Sequence, residues 1–189
     1  MAEGLDLPPR FAVKTGMLAS LGNGAQLLRF CERHGHPPLV VDPLWRASSG
    51  GSMWPGTDEA EVARWLLAVL LPNATAVTPN WPELAWLRGI DPLADRQAAE
   101  RALRALPCAA VLKGGHGPAP WQGVDLVWDG TEVHELAADR PFARTVRGTG
   151  CRFATALAVG LLRGETLLSA ARSAKALVAD HAVQTTYGL

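Results

Sequence analysis

The sequence predicts an α/β fold: a mainly parallel sheet with helices on both faces. Short apolar runs alternate with segments of helical periodicity. Polar and glycine residues gather where those runs end, at Gly16-Met17, Asp42, Asn80 with Glu83, and Lys113-Gly114-Gly115. The turn Gly148-Thr149-Gly150-Cys151 opens onto Arg152–Leu162, which is apolar on almost every side and reads as a helix buried all round. Ligands of parallel sheets sit beyond the carboxyl ends of the strands. Each of these residues also has a purely structural reading. A strand-end aspartate caps a loop, Pro79-Asn80-Trp81-Pro82-Glu83 starts a helix, and a strand-end lysine is solvated. Their convergence on one rim carries the functional reading.

Phe11–Met17 reads as a strand ending in a glycine turn, and Asn23–His34 as a helix stopped by Gly35. Pro38–Asp42 is a buried strand that Pro43 ends, followed by a polar loop over Ala47–Ser52. Thr57 or Asp58 caps a helix running to about Leu71, with Asp58 and Glu61 spaced as a capping box and Pro72 closing it. Thr75–Thr78 is the next strand, Leu84–Leu87 a short helix that Gly89 stops, and Asp95–Leu106 a further helix. Ala109–Lys113 is a strand. Val124–Trp128 and Thr131–Leu136 flank Asp129-Gly130, a hairpin signal. Glu165 to about Gln184 is an amphipathic helix with Leu167, Leu168, Ala171, Ala174, Leu177, Val178 and His181 at helical spacing.

The chain has 189 residues, enough for one domain over 1–189 with a real core. Acidic and basic residues balance at 18 each, which leaves no footprint for nucleic acid or an anionic membrane. No apolar run reaches the roughly 18 residues of a membrane span. The residues Met1–Asp6 lack the basic and apolar regions of a signal peptide. Cys31, Cys108 and Cys151 are far apart and odd in number, which suits a reducing cytoplasm without disulfides, and no zinc pattern is present.

Chemistry concentrates at the Gly148–Cys151 turn. Its glycines allow positive φ and a close approach to backbone. The first N–H groups of the following helix point outward at the positive end of its dipole, an anion cradle. The same dipole favours a thiolate at Cys151. Since Gly-x-Gly before a helix is common, and Cys151 alone could be a small core residue, the rest of the rim must support this reading.

Val-Lys-Thr-Gly-Met-Leu-Ala (13–19), Val-Val-Asp-Pro-Leu (40–44), Val-Thr-Pro-Asn-Trp-Pro-Glu (77–83), Val-Leu-Lys-Gly-Gly-His (111–116) and Gly-Thr-Gly-Cys (148–151) stand in order. Together they resemble the hydroxymethylpyrimidine/phosphomethylpyrimidine kinases of thiamine biosynthesis, in the ribokinase-like superfamily. The likeness runs from about Phe11 to about His181, and a cysteine rather than an aspartate after Gly-Thr-Gly narrows it to the pyrimidine and some pyridoxal kinases. It implies a three-layer αβα fold and phosphorylation by ATP of a pyrimidine hydroxymethyl group, or of its phosphate. Gly148, Thr149 and Gly150, with the N–H of Cys151, would form the anion hole, and Cys151 would be the base. Lys113, Gly115, Asn80 and Thr149 would serve ATP, and Gly16 and Met17 the pyrimidine. Asn80 and Glu83, with Asp42, would order Mg²⁺. The hairpin around Asp129-Gly130 and the final helix would border the adenine. A cytoplasmic homodimer or other homo-oligomer is expected.

Departures from the pattern are expected to matter. Only ten residues precede Phe11, and Met1-Ala2-Glu3-Gly4-Leu5 matches none of the family's glycine-rich substrate segment. Arg147 stands where the family often has histidine, and the glycine-rich tail is short at Tyr187-Gly188-Leu189. The ATP half of the site is expected to be present and the substrate half largely missing. An N-terminally shortened sheet would leave the edge of the Phe11–Thr15 strand open, to be covered by another chain or the N-terminal arm. The alternatives are a non-catalytic paralogue that binds nucleotide or pyrimidine, and a pyridoxal-type kinase.

Overall fold

The computed structural model describes residues 7–47, 50–90, 95–137 and 148–187. Arg147, Ser48-Ser49, residues 1–6 and Gly188-Leu189 lie outside the described residues. Six strands form one sheet in chain order: β1 (Val13–Thr15), β2 (Leu39–Val41), β3 (Ala76–Val77), β4 (Ala109–Leu112), β5 (Asp125–Trp128) and β6 (Val133–Leu136). β1 to β4 run parallel, and β5 and β6 add an antiparallel hairpin.

The alternation of side chains along each strand builds two cores. Leu39, Val41, Val77, Ala110, Leu112 and Leu126 face a layer that includes α1 (Leu21–Arg33), α2 (Glu59–Trp65), α3 (Trp81–Arg88) and α4 (Arg96–Arg104). Val40, Ala76, Val111 and Val127 face α5 (Thr149–Leu162) and α6 (Leu167–Tyr187). This is the expected three-layer arrangement. β1 is one of the two edge strands, with β6 the other, and among the described residues no strand pairs with the outer side of β1.

Local chemistry moves several boundaries. Ser20 caps α1, accepting from the Asn23 N–H at 3.1 Å, so the helix starts before Asn23. The helix after Asp58 does not run regularly to Leu71. It widens into a π turn over Leu66–Leu70 and then tightens into a 3₁₀ turn, Leu71–Asn73, that contains Pro72. A proline excludes regular α geometry for the carbonyl four residues earlier, and the widened turn accommodates it. α3 starts before the expected Leu84, at Trp81, because Asn80 caps it.

Two burial expectations are corrected. α5 is not buried all round: Phe153, Ala154, Leu157 and Ala158 are buried, while Cys151, Thr155 and Val159 form an exposed stripe four residues apart. Only one face of the helix meets the sheet and α6, and apolar composition does not say which. On α6, Leu177 is exposed while Lys175 lies in the buried stripe beside Ala171, Ala174 and Val178. α5 and α6 approach closely at Gly160, where a Cβ would stand 2.7 Å from the Ala170 Cβ.

Candidate active site

The carboxyl ends of β2, β3 and β4 and the start of α5 meet around Lys113. Its backbone N–H donates to the Pro79 carbonyl at 2.8 Å. Its ammonium donates to Asp42 Oδ1 at 2.9 Å and lies 3.8 Å from Glu83 Oε2. Asp42 is buried at the end of β2. Its N–H donates to the Thr15 hydroxyl at 3.1 Å, and the Thr78 hydroxyl approaches Oδ1 at 3.4 Å. Asp42 Oδ2 is a buried acceptor without a hydrogen-bond partner, 3.8 Å from the Lys14 ammonium.

Asn80 and Glu83 make a reciprocal capping box at the start of α3. The Asn80 side chain accepts from the Glu83 N–H at 2.9 Å, and Glu83 Oε2 accepts from the Asn80 N–H at 2.7 Å. The helix-start reading of this motif is therefore realised, and it holds the Glu83 carboxylate beside Lys113. Burial pushes the Glu83 carboxyl above its ordinary pKa, against the pull of Lys113 and the Asn80 N–H, while Asp42 adds to the rise. For Lys113, burial works to lower the pKa. Asp42 and Glu83, the Asp42 hydrogen bond and Cys151 outweigh it, so the ammonium is held above its ordinary value.

The α5 turn completes the rim. Gly148 has φ +81°, a left-handed conformation that glycine adopts without the Cβ penalty. It offers no side-chain cap to the helix. Gly150 faces Lys113: a Cβ there would lie 3.4 Å from the ammonium nitrogen. Cys151 is exposed, unlike buried Cys31 and half-buried Cys108, whose thiol burial pushes up to about 12. Met17 is 59% exposed on the β1 side, with Gly16 near the Lys14 ammonium. After Lys113 it is Gly114, not Gly115, that sterics constrain. A Cβ on Gly114 would collide with the Val124 backbone, whereas Gly115 opens onto free space.

The sequence reading assigned no role to Lys14, Thr15, Thr78, Asp125 or Lys175. Lys175 alone left a legible signal, a charge within the apolar period of the last helix. Among the described residues no group of three or more histidine, cysteine or acidic side chains could hold a metal ion by itself. A cleft of about 490 Å³ lined by Arg29, Glu32, Pro37 and Thr75 lies at the amino ends of β2 and β3, away from this rim.

The mainly parallel sheet, with helices on both faces, is that of a ribokinase-like α/β protein. The family model described as phosphomethylpyrimidine kinase matches residues 6–188, and the chain belongs to that family. It is 39% identical to a hydroxymethylpyrimidine/phosphomethylpyrimidine kinase of Streptomyces coelicolor, over 88% of this chain and 61% of that one. It is 36% identical to the Synechococcus elongatus protein of the same name, over 90% and 64%. The chain thus spans about three fifths of the length of these relatives. A pyridoxal kinase from Staphylococcus aureus, in complex with AMP-PCP and pyridoxal, is similar at 30% identity and a TM-score of 0.73, over 89% of this chain and 60% of that one. No helix among the described residues is long and apolar enough to cross a membrane.

Proposed function

We propose that this chain, as one ribokinase-like domain over 1–189, transfers the terminal phosphoryl group of ATP to the hydroxymethyl oxygen of 4-amino-5-hydroxymethyl-2-methylpyrimidine, or to the phosphate of its monophosphate, in thiamine biosynthesis. One observation carries the reading: the Lys113 ammonium, anchored on Asp42, faces Gly150 at the mouth of α5, next to the exposed Cys151. Family membership supports it.

In this reaction the substrate oxygen bonds to the terminal phosphorus and the bond from that phosphorus to the leaving ADP oxygen breaks; where the acceptor is the hydroxymethyl group, its proton passes to the Cys151 sulfur. Phosphoryl transfer depends on positioning and on spreading negative charge. Gly148, Thr149, Gly150 and the N–H of Cys151 cradle the moving group, while Lys113, Asn80 and Gly115 hold the nucleotide. Gly16 and Met17 border the pyrimidine. Asp42 and Glu83 suit Mg²⁺, since Asp42 Oδ2 is a buried acceptor without a hydrogen bond, 3.8 Å from the Lys14 ammonium, and magnesium takes one or two carboxylates while keeping waters. Bound there, the ion would offset phosphate charge.

The test is ATP-dependent phosphorylation of the pyrimidine and its monophosphate. We expect Cys151→Ala to lower turnover by about a hundredfold or more. Undiminished turnover in that variant removes the proposed base. Nucleotide binding without turnover favours a non-catalytic binding protein. The likeness to a pyridoxal kinase bound to pyridoxal supports a second reading, and preference for pyridoxal in the same assay would establish it. Among the described residues no strand pairs with the outer side of β1, which supports a homo-oligomer in which a second copy covers that edge, and light scattering tests it; a cytoplasmic location is part of the same reading.

A further inference from the structure

Behind the rim lies a second charged pair, to which no role in the site was assigned. Lys175 of α6 and Asp125 of β5 are both buried, with the ammonium 2.9 Å from Asp125 Oδ2 and donating to the Gly123 carbonyl at 2.8 Å. The other carboxylate oxygen, Asp125 Oδ1, accepts from the Gly114 N–H at 2.7 Å. Gly114 directly follows Lys113, where the chain leaves β4. Its carbonyl accepts from the Gly117 and Gly123 N–H groups at 3.0 and 2.9 Å, and its Cα has no room for a side chain. Lys113 is held at its own N–H by the Pro79 carbonyl.

A buried ion pair is weak support for stability, because desolvating both charges offsets most of their attraction. An apolar pair of similar volume would fill the same space. What such a pair could not supply is a fixed acceptor for the Gly114 N–H. We infer that the Asp125–Lys175 pair is a positioning device: it locks the Lys113–Gly117 loop to α6, and through the close α5–α6 packing to the phosphate cradle at Gly148–Cys151. Lys175 neutralises and orients the carboxylate, the carboxylate holds the backbone beside Lys113, and Lys113 is thereby set at a fixed distance from the cradle. Asp125 and Lys175 act through Lys113 and do not touch nucleotide. This inference rests on the kinase reading for its functional consequence, but not for the loop clamp itself.

The test combines ADP affinity by calorimetry, KM for ATP against kcat, and amide hydrogen exchange at Gly114 without nucleotide. The main variant is Asp125→Leu/Lys175→Met, which removes both charges and avoids a lone buried one. We expect it to stay folded, to exchange the Gly114 amide at least about tenfold faster, and to bind ADP about tenfold more weakly, with KM for ATP rising more than kcat falls. Lys175→Arg, which retains the charge, should keep Gly114 protection and affinity near wild type. A folded double variant with unchanged Gly114 exchange and unchanged ADP affinity overturns the positioning role and leaves the pair purely structural. Faster exchange with unchanged affinity overturns the link to the nucleotide. Wild-type protein that binds no ADP overturns the kinase reading instead, and the link with it, while Gly114 exchange still decides the clamp.

Discussion

The ammonium of Lys113 lies 2.9 Å from Asp42, whose side chain is fully buried. Asp42 extends from the end of β2 and Lys113 from the end of β4, with β3 between them, so the sheet itself sets their spacing. On the proposed kinase reading, an arriving phosphate would meet a lysine that already has a partner, and its charge would add to a field set by Asp42 and Glu83.

Removing the cation exposes that dependence. Lys113→Met removes the close partner of a buried carboxylate and leaves it only the Lys14 ammonium at 3.8 Å, which should cost up to about 3–5 kcal/mol in urea unfolding. Asp42→Asn together with Lys113→Met should recover most of the loss, while nucleotide binding stays abolished in both. Full stability in the single variant would contradict a buried pair.

The same contact gives stability an alkaline limit. The folded state holds the Lys113 proton more tightly than the unfolded chain does, because its pKa is raised above the ordinary 10.5. Its contribution is therefore complete below about 10.5 and drains away as pH rises through the folded value. The stability difference between wild type and Lys113→Met, followed by denaturant melts, should be flat from pH 7 to about 9 and shrink above about 10.5.

Gly150 separates folding from binding. A Cβ at 3.4 Å from the Lys113 nitrogen is an ordinary contact, and alanine favours a helical position over glycine by up to about 1 kcal/mol. Gly150→Ala should match or exceed wild type in thermal melting yet raise KM for ATP about tenfold or more, because the methyl stands where phosphate would approach the backbone. A loss of melting temperature with unchanged KM would refute this division.

At the start of α3, Asn80→Ala removes one half of the capping box and should cost about 1 kcal/mol in chemical denaturation. Because the box also holds Glu83 beside Lys113, KM for ATP should rise as well. Asn80→Asp, which keeps the acceptor, should retain the stability.

The α/β rhythm and the polar and glycine residues at strand ends were legible because each depends on local pattern, whereas the order of the strands in the sheet came only with their pairing. Apolar runs of strand length, capping residues such as Asp58 and Asn80, and glycines before α5 all act on near neighbours in the chain. The π turn before Pro72 was not legible, because it is a single turn over Leu66–Leu70, where every residue is apolar and no change of period can be read. The exposure of Leu177 and the burial of Lys175 were not legible either, because the stripe α6 buries depends on what lies beneath it.

By itself the sequence determined the layered sheet, the family and the rim on which Asp42, Asn80, Lys113 and Cys151 gather, since strand polarity brings successive strand ends to one side. Only the tertiary structure decided that Lys113 is the cation between Asp42 and Glu83, that Cys151 is exposed rather than packed, and that Asp125 and Lys175 meet behind Gly114. Those relationships join residues from distant parts of the chain. Long-range distances and burial, which govern charge interactions in a protein interior, exist only once the layers have packed.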